Sequence, residues 1–263
     1  MDRSDSQAAG VRPVRKMTEL IAIALSALVG CASNPDIEDE DNNDPLEAIN
    51  RPIFGFNRTF DKYLLRPVAK GYDTVAPKGV KHGVTNFFWN LEQPVYVFNH
   101  VLQGKFLGAL RQTGRFAINT TLGVAGLIDA AKDAGLPREQ EDFGQTLAVW
   151  GWKGGGPFLM LPILGPSNPR DGIGILVDLE IDILYQYHDS SRRDKLLILK
   201  AIDIRRRLLP ADKAVNEAPD AYIFVREAYL DNRRFRIYDG NPPQDDLDDF
   251  EAEFEAEFDE EFE

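Results

Sequence analysis

The chain has 263 residues, with 30 Lys and Arg against 43 Asp and Glu, a formal net charge of −13 and one cysteine. Twelve of the acids fall between positions 245 and 263 with no basic residue among them, so the remainder carries 31 acids against 30 bases and is nearly neutral. That balance disfavours nucleic acid as a partner, since phosphate neutralisation needs a basic surface, and a lone cysteine excludes an intramolecular disulfide.

At the amino end, Arg3, Arg12, Arg15 and Lys16 precede an apolar run over residues 20–29 that only Ser26 interrupts. Charge followed by a short apolar segment is the layout of an export signal. A bilayer-crossing helix needs about 20 apolar residues, roughly twice this length. The run leads into Leu28-Val29-Gly30-Cys31, which resembles the lipobox of bacterial lipoprotein signals, where a small residue precedes the cysteine that becomes acylated. Residues 1–30 read as the signal peptide and Cys31 as the lipid anchor; a start at Met17 would leave only Thr18 and Glu19 before the run, and no positive charge. Residues 31–43 are polar and acidic, too poor in apolar surface to fold, and read as a tether.

Helical patterns follow, punctuated by Gly, Pro and Asn. Over residues 46–65, Ile49, Ile53, Phe56, Phe60 and Leu64 recur every three or four positions along one face, and Arg66-Pro67 is expected to end or kink that helix. Residues 84–91 and 95–112 read as two helices separated by Gln93-Pro94, and 115–131 as an apolar stretch whose Gly123 and Gly126 suit close backbone packing. Between 143 and 169, glycine and proline punctuation excludes a long regular element, yet Phe158, Leu159, Met160 and Leu161 are too apolar for an open loop and are expected to be buried or to face lipid. Residues 175–184 fit either a strand or a helix and are assigned to helix because no partner strand or hairpin signal flanks them. Ser191 and Asp194 mark the start of a helix that runs to Pro210, and a last helix spans 221–229 with Arg233 and Arg234 near its end. In the acidic tail Phe250, Phe254, Phe258 and Phe262 repeat every four residues; neighbouring like charges oppose a helix there, so the tail is expected to be disordered.

No arrangement of catalytic residues emerges. The chain has neither a Gly-x-Ser-x-Gly elbow nor a His-Glu-x-x-His pair. His82, His100 and His188 stand far apart in unlike contexts and read as packing or surface residues, and Gly154-Gly155-Gly156 lacks the lysine of a phosphate loop. Asp129 and Asp171 sit beside glycine-rich turns, where capping or pairing with Lys132 and Arg170 is the expected role. What recurs instead is aromatic rings beside amides, as in Asn86-Phe87-Phe88-Trp89-Asn90 and Val97-Phe98-Asn99-His100. That pairing suits a membrane interface, and suits an aromatic core equally well.

Many of these segments together resemble one family, the MlaA or VacJ-like phospholipid-binding outer-membrane lipoproteins. The resemblance covers residues 44–239. It rests on Asp44-Pro45-Leu46-Glu47, Asn50-Arg51, Phe56-Asn57, Arg66-Pro67-Val68-Ala69, Val84-Thr85-Asn86-Phe87-Phe88, Leu91-Glu92-Gln93-Pro94, Asn99 and Leu102-Gln103-Gly104. The segment from Arg115-Phe116-Ala117 through Asn119 to Gly123, and then Asp142-Phe143-Gly144-Gln145-Thr146-Leu147, Gly156-Pro157-Phe158, Leu161-Pro162, Gly165-Pro166, Arg170-Asp171, Asp220-Ala221-Tyr222 and Val225-Arg226-Glu227-Ala228-Tyr229 continue it in the same order.

The resemblance implies a mainly α, ring-like domain in the inner leaflet of the outer membrane, with an amphipathic central channel. It further implies association with a trimeric porin and hand-over of misplaced phospholipid to a soluble periplasmic carrier, with no catalysis and no cofactor or metal. On amide and aromatic placement, Phe56, Asn57, Asn86, Asn90, Asn99 and Asn119 are assigned to the channel wall or gate. Two other readings are a lipoprotein that only scaffolds a porin, and a lipid hydrolase using Asp129, Asp142 and Asp171. The long segment before the signal and the tail over residues 240–263 depart from the family pattern.

Overall fold

A computed structural model describes residues 44–243, so the signal peptide, Cys31, the tether and the phenylalanine repeat lie outside the described residues. A helical run opens the fold over residues 47–75: α1 (Glu47–Phe60), a π-turn (Asp61–Leu65) and α2 (Arg66–Val75). Of the two outcomes expected at Arg66-Pro67, an end or a kink, the helix does not end there; its regular bonding is interrupted just before. Pro67 lies at the start of α2, where its missing N–H and ring would disturb an α-helical ladder, and the wider hydrogen bonding of the preceding π-turn takes up the irregularity.

Helix α3 (Lys78–Leu102) is likewise one element of 25 residues with Pro94 inside it, not two helices parted at Gln93-Pro94. An internal proline costs a helix about 3 kcal/mol, and the long packing surface between α3 and α4 (Phe106–Thr121) outweighs it. The true break is ten residues later at Gln103-Gly104-Lys105, where Gly104 takes a positive φ of 73°. Here the chain reverses so closely that a Cβ on Gly108 would meet the buried His100 ring at 2.5 Å.

Short elements follow: α5 (Ala130–Asp133), α6 (Phe143–Val149) and an antiparallel hairpin of β1 (Leu159–Leu161) and β2 (Gly165–Ser167) with Met160 opposite Pro166. Phe158, Leu159 and Met160 are buried. The segment assigned to helix over 175–184 is helical to residue 181, as part of α7 (Pro169–Ile181). Next come α8 (Ser190–Arg207), a 3-10 turn (Leu209–Ala211), α9 (Asp212–Glu217) and α10 (Ala221–Ile237). Side-chain caps set most of these starts: Asp129 for α5, Asp142 for α6, Asn168 for α7 and Asp189, not Ser191, for α8 each accept a backbone N–H of the first turn.

The described residues are thus mainly α-helical. They divide into two compact units, one ending at Arg226 and the other beginning at Glu227, within α10. In the first unit α3 packs on α4, α6 on α7 and α2 on α8. The α6–α7 contact is backbone on backbone, since a Cβ on Gly174 would lie 2.5 Å from the Gly144 nitrogen.

Candidate functional site

In a domain dissolved in water, a helix turns its apolar stripe inward and its polar face outward. Helix α4 does the reverse. Its buried face is Gly108, Ala109, Gln112, Arg115 and Asn119, while Phe106, Leu107 and Leu110 are 69%, 61% and 69% exposed. Along the run from α1 to α2, Asn50 and Ala69 are buried, and Ile49, Phe56, Tyr63, Leu64, Val68 and Val75 are exposed. Among the described residues, the largest fully buried side chains are Arg170, Tyr222, His100, Gln93, Gln112, Gln145, Asn50, Asn99, Thr146, Asp203 and Ser167, of which only Tyr222 carries a hydrocarbon ring. Among the described residues, many large side chains buried in the interior are polar, beside a smaller apolar core that includes Phe88, Phe158, Leu159 and Met160, and many large apolar side chains are exposed. So many exposed large apolar side chains mark surface that meets another apolar phase, although no helix of the described residues is long and apolar enough to cross a membrane.

Two apolar loops are anchored on this inverted body by asparagines. The first, residues 122–129, exposes Leu122, Val124, Leu127 and Ile128. Val124, Ala125 and Gly126 follow one another at φ of 54°, 56° and 88°, and left-handed backbone costs a non-glycine residue about 1–2 kcal/mol. Three of the residues singled out from sequence meet here. Asn86 donates to the Leu127 carbonyl at 3.3 Å. Asn90 packs against Gly126 and donates to the Thr120 hydroxyl at 2.9 Å. Asn119 donates to Asp129 at 3.0 Å and accepts from the Ala131 N–H at 2.9 Å.

The second loop is the tip of the β1–β2 hairpin, where Ile163 (φ 66°) and Leu164 are exposed. Asn57 clamps it, donating to the Leu161 carbonyl and accepting from the Ile163 N–H at 2.9 and 2.7 Å. Asn50, one seven-residue helical repeat earlier, does the same for β1 through the Phe158 carbonyl and the Met160 N–H, each at 2.9 Å. Phe56 is not with the amides; it lies exposed and stacks on Phe60 with ring centroids 6.3 Å apart. Asn99 stands apart too, joining three helices by donating to Asp178 of α7 at 2.9 Å and accepting from Thr146 of α6 at 2.8 Å.

Sequence reading missed the partners of these amides. Asp44 accepts from Asn50 and from the Tyr222 hydroxyl, so it binds the start of the fold to α10; burial, reinforced by the bond and charge of Asp44, holds the Tyr222 phenol above its ordinary range. Arg115, with a side chain only 3% exposed, forks onto both oxygens of Asp129 at 2.8 and 3.0 Å. Asp142 caps α6 and Asp171 pairs with Arg170 at 2.9 Å, so the three carboxylates weighed for hydrolysis all have structural roles. The glycine triplet wraps Arg170, whose guanidinium donates to the Lys153 carbonyl at 2.6 Å and whose backbone N–H bonds the Gly155 carbonyl.

The titration of Asp129 makes one prediction. Burial alone raises its pKa, but the bonds from Asn119 and Arg115 prevail and leave it below the usual carboxylate range. A depressed acid contributes stability above its unfolded pKa, about 4, and loses it as pH falls through the lower folded value. Melting temperature should therefore fall below about pH 4 in the wild type. In Asp129→Asn the fall should be shallower, starting from a lower melting temperature at pH 7; parallel profiles would mean that Asp129 is not the group titrating.

The family model for MlaA lipoprotein matches residues 42–236. The chain is 36% identical over 247 residues to the intermembrane phospholipid transport system lipoprotein MlaA of Escherichia coli K12, covering 89% of this chain and 97% of that one. It is 34% identical over 221 residues to the protein of the same name from Haemophilus influenzae, covering 81% and 87%. Among solved structures, one from work described as "Structural basis for maintenance of bacterial outer membrane lipid asymmetry" aligns with a TM-score of 0.66 at 36% identity, over 74% of this chain and all of that one.

Proposed function

This chain belongs to the MlaA lipoprotein family, and on that premise we propose that it removes misplaced phospholipid from the outer leaflet of the outer membrane, maintaining lipid asymmetry. The observation that carries this reading is the inverted polarity. Exposed Phe106, Leu107, Leu110 and the loop over 122–128 give hydrocarbon an apolar surface, and the buried amides and charges give a headgroup polar neighbours. A lipid headgroup moved through hydrocarbon alone would meet a desolvation cost of several kcal/mol or more. A polar path through an apolar-coated body lowers that cost without making or breaking a bond.

In this proposal the acyl chains on Cys31 hold the protein on the periplasmic face of the outer membrane, a trimeric porin is its neighbour, and a soluble periplasmic carrier takes the lipid. The helices enclose the headgroup path as a ring. Asn57, Asn86, Asn90 and Asn119 act on its gate by seating the two apolar loops, Asn99 stiffens its wall, and Phe56 presents a lipid-facing ring.

A strain lacking this gene tests the proposal. It should expose phospholipid on the cell surface and lose resistance to detergent, and the wild-type gene should restore both. Cys31→Ser should restore neither, because the protein no longer stays at its membrane. Normal asymmetry in the deletion strain would rule the proposal out. Co-purification with a porin but no retained phospholipid would favour the scaffold reading instead.

A further inference from the structure

The carboxylates on one side of the first unit are already engaged. Asp129 is held by Arg115, Glu139 pairs with Arg111 at 3.1 Å, and Asp203 accepts from Thr85 and Arg206 at 2.9 Å as well as facing Arg207 at 3.3 Å. Arg138, in the segment between α5 and α6, is different. Among the described residues it makes no hydrogen bond or ion pair, and its guanidinium lies over the indole of Trp89 with Cζ 3.1 Å from the ring centroid. The guanidinium of Arg207, at the end of α8, lies 5.3 Å from the same ring. Helix α3, helix α8 and the 134–142 segment thus bring two cations onto one aromatic side chain, neither fully buried.

Two guanidiniums about one ring repel one another, and while Arg207 also faces Asp203, the neutral ring satisfies none of the N–H donors of Arg138. Burial is the main cause that pushes the Arg138 pKa down; Tyr96 and Asp129 oppose it, and the charges of Arg115 and Arg207 add to it. A guanidinium stacked on an aromatic face keeps its edge free, and that edge matches the geometry of a phosphate.

We infer that Arg138 and Arg207, set about Trp89, form a receiving site for the phosphodiester of a phospholipid headgroup, its single negative charge bridging the two cations. The inference rests on the transport proposal above and names one residue-level station within it. The site takes the phosphodiester whatever alcohol it carries, because the donors described all address the phosphate oxygens. None of the clamping asparagines belongs to it, so Arg138 can be changed without removing a clamp residue.

The test uses the full-length acylated protein in mild detergent, offered phosphatidylglycerol or diacylglycerol with the same chains, with retained lipid read by mass spectrometry. Arg138→Gln should cut retained phosphatidylglycerol about tenfold and leave diacylglycerol unchanged. Arg138→Lys, which keeps the charge but loses the fork, should fall between. A second measurement leaves Arg138 in place. With Trp150→Phe and Trp152→Phe, Trp89 is the remaining tryptophan, and its emission should shift on adding phosphatidylglycerol but not diacylglycerol or inorganic phosphate. Undiminished retention by Arg138→Gln, or an unmoved Trp89 emission, overturns the site and leaves the transport proposal standing. A Trp89 response to inorganic phosphate equal to that for lipid assigns the site to a free anion and overturns it as well. Wild-type protein that retains no phospholipid overturns both.

Discussion

Replacing Arg115 by alanine is expected to destabilise the protein by about 3–5 kcal/mol, because it leaves a partly buried carboxylate without its counter-charge. The magnitude follows from where the guanidinium sits. Its Nη2 bonds both oxygens of Asp129 and its Nη1 bonds the Leu136 carbonyl, so one side chain ties α4 to both ends of α5. Asp129 in turn caps α5 and accepts from Asn119. Chemical denaturation at fixed detergent reads the loss directly. The double change Arg115→Met with Asp129→Leu should cost less than Arg115→Ala alone, since it removes both charges together. A loss below about 1 kcal/mol for Arg115→Ala, the size of an exposed ion pair, would show that the pair is not acting as a buried one.

Gly126→Ala has the second largest expected effect, and it is local. Gly126 holds φ at 88°, and a Cβ there would lie 2.5 Å from the Asn90 Cβ. Left-handed strain of about 1–2 kcal/mol adds to about 1–3 kcal/mol for overpacking. The backbone bond from Gly126 N–H to the Asn119 carbonyl and the Asn90 contact cannot both survive, so the 122–129 loop should leave its seat while the α6–α7 pair stays folded. Hydrogen exchange should show faster exchange at the amides of Ala125, Gly126 and Ile128, which are bonded in the intact turn. In cells, the variant should behave as a gating defect, with surface phospholipid altered at normal protein level. Unchanged exchange at these three amides would remove the clamp interpretation.

How much of this was legible beforehand depended on the range of the interaction. Caps are local, and Asp129 was assigned one from its glycine-rich setting. Prolines are local too, yet Pro94 does not split its helix, because packing between α3 and α4 decides that position, and at Pro67 a π-turn takes the place of a helix end. The sequence singles out the amides Asn57, Asn86, Asn90, Asn99 and Asn119, but nothing in one dimension shows that three of them converge on the loop between α4 and α5 and that Asn57 goes to the hairpin. Asn50 was recoverable, standing seven residues before Asn57 on the same helix. The Asp44–Tyr222 bond was not, with 178 residues between its ends.

Which way the helices face was the deeper gap. Amphipathic periodicity reports that two faces differ, not which one is buried, and the aromatic–amide segments fitted core and interface equally. Phe88 is buried and Phe98 exposed within one helix; only the packing of α3 could separate them.

The outward hydrocarbon of α4 and its following loop bears on what the word stability means for this protein. Any amphiphile that coats Phe106, Leu107, Leu110 and Leu122 is a ligand of the folded state, and by linkage adds free energy that grows with the logarithm of its concentration. Folding and solvation by lipid are then linked equilibria. Denaturation midpoints should climb with detergent concentration for as long as that face is taking up more of it.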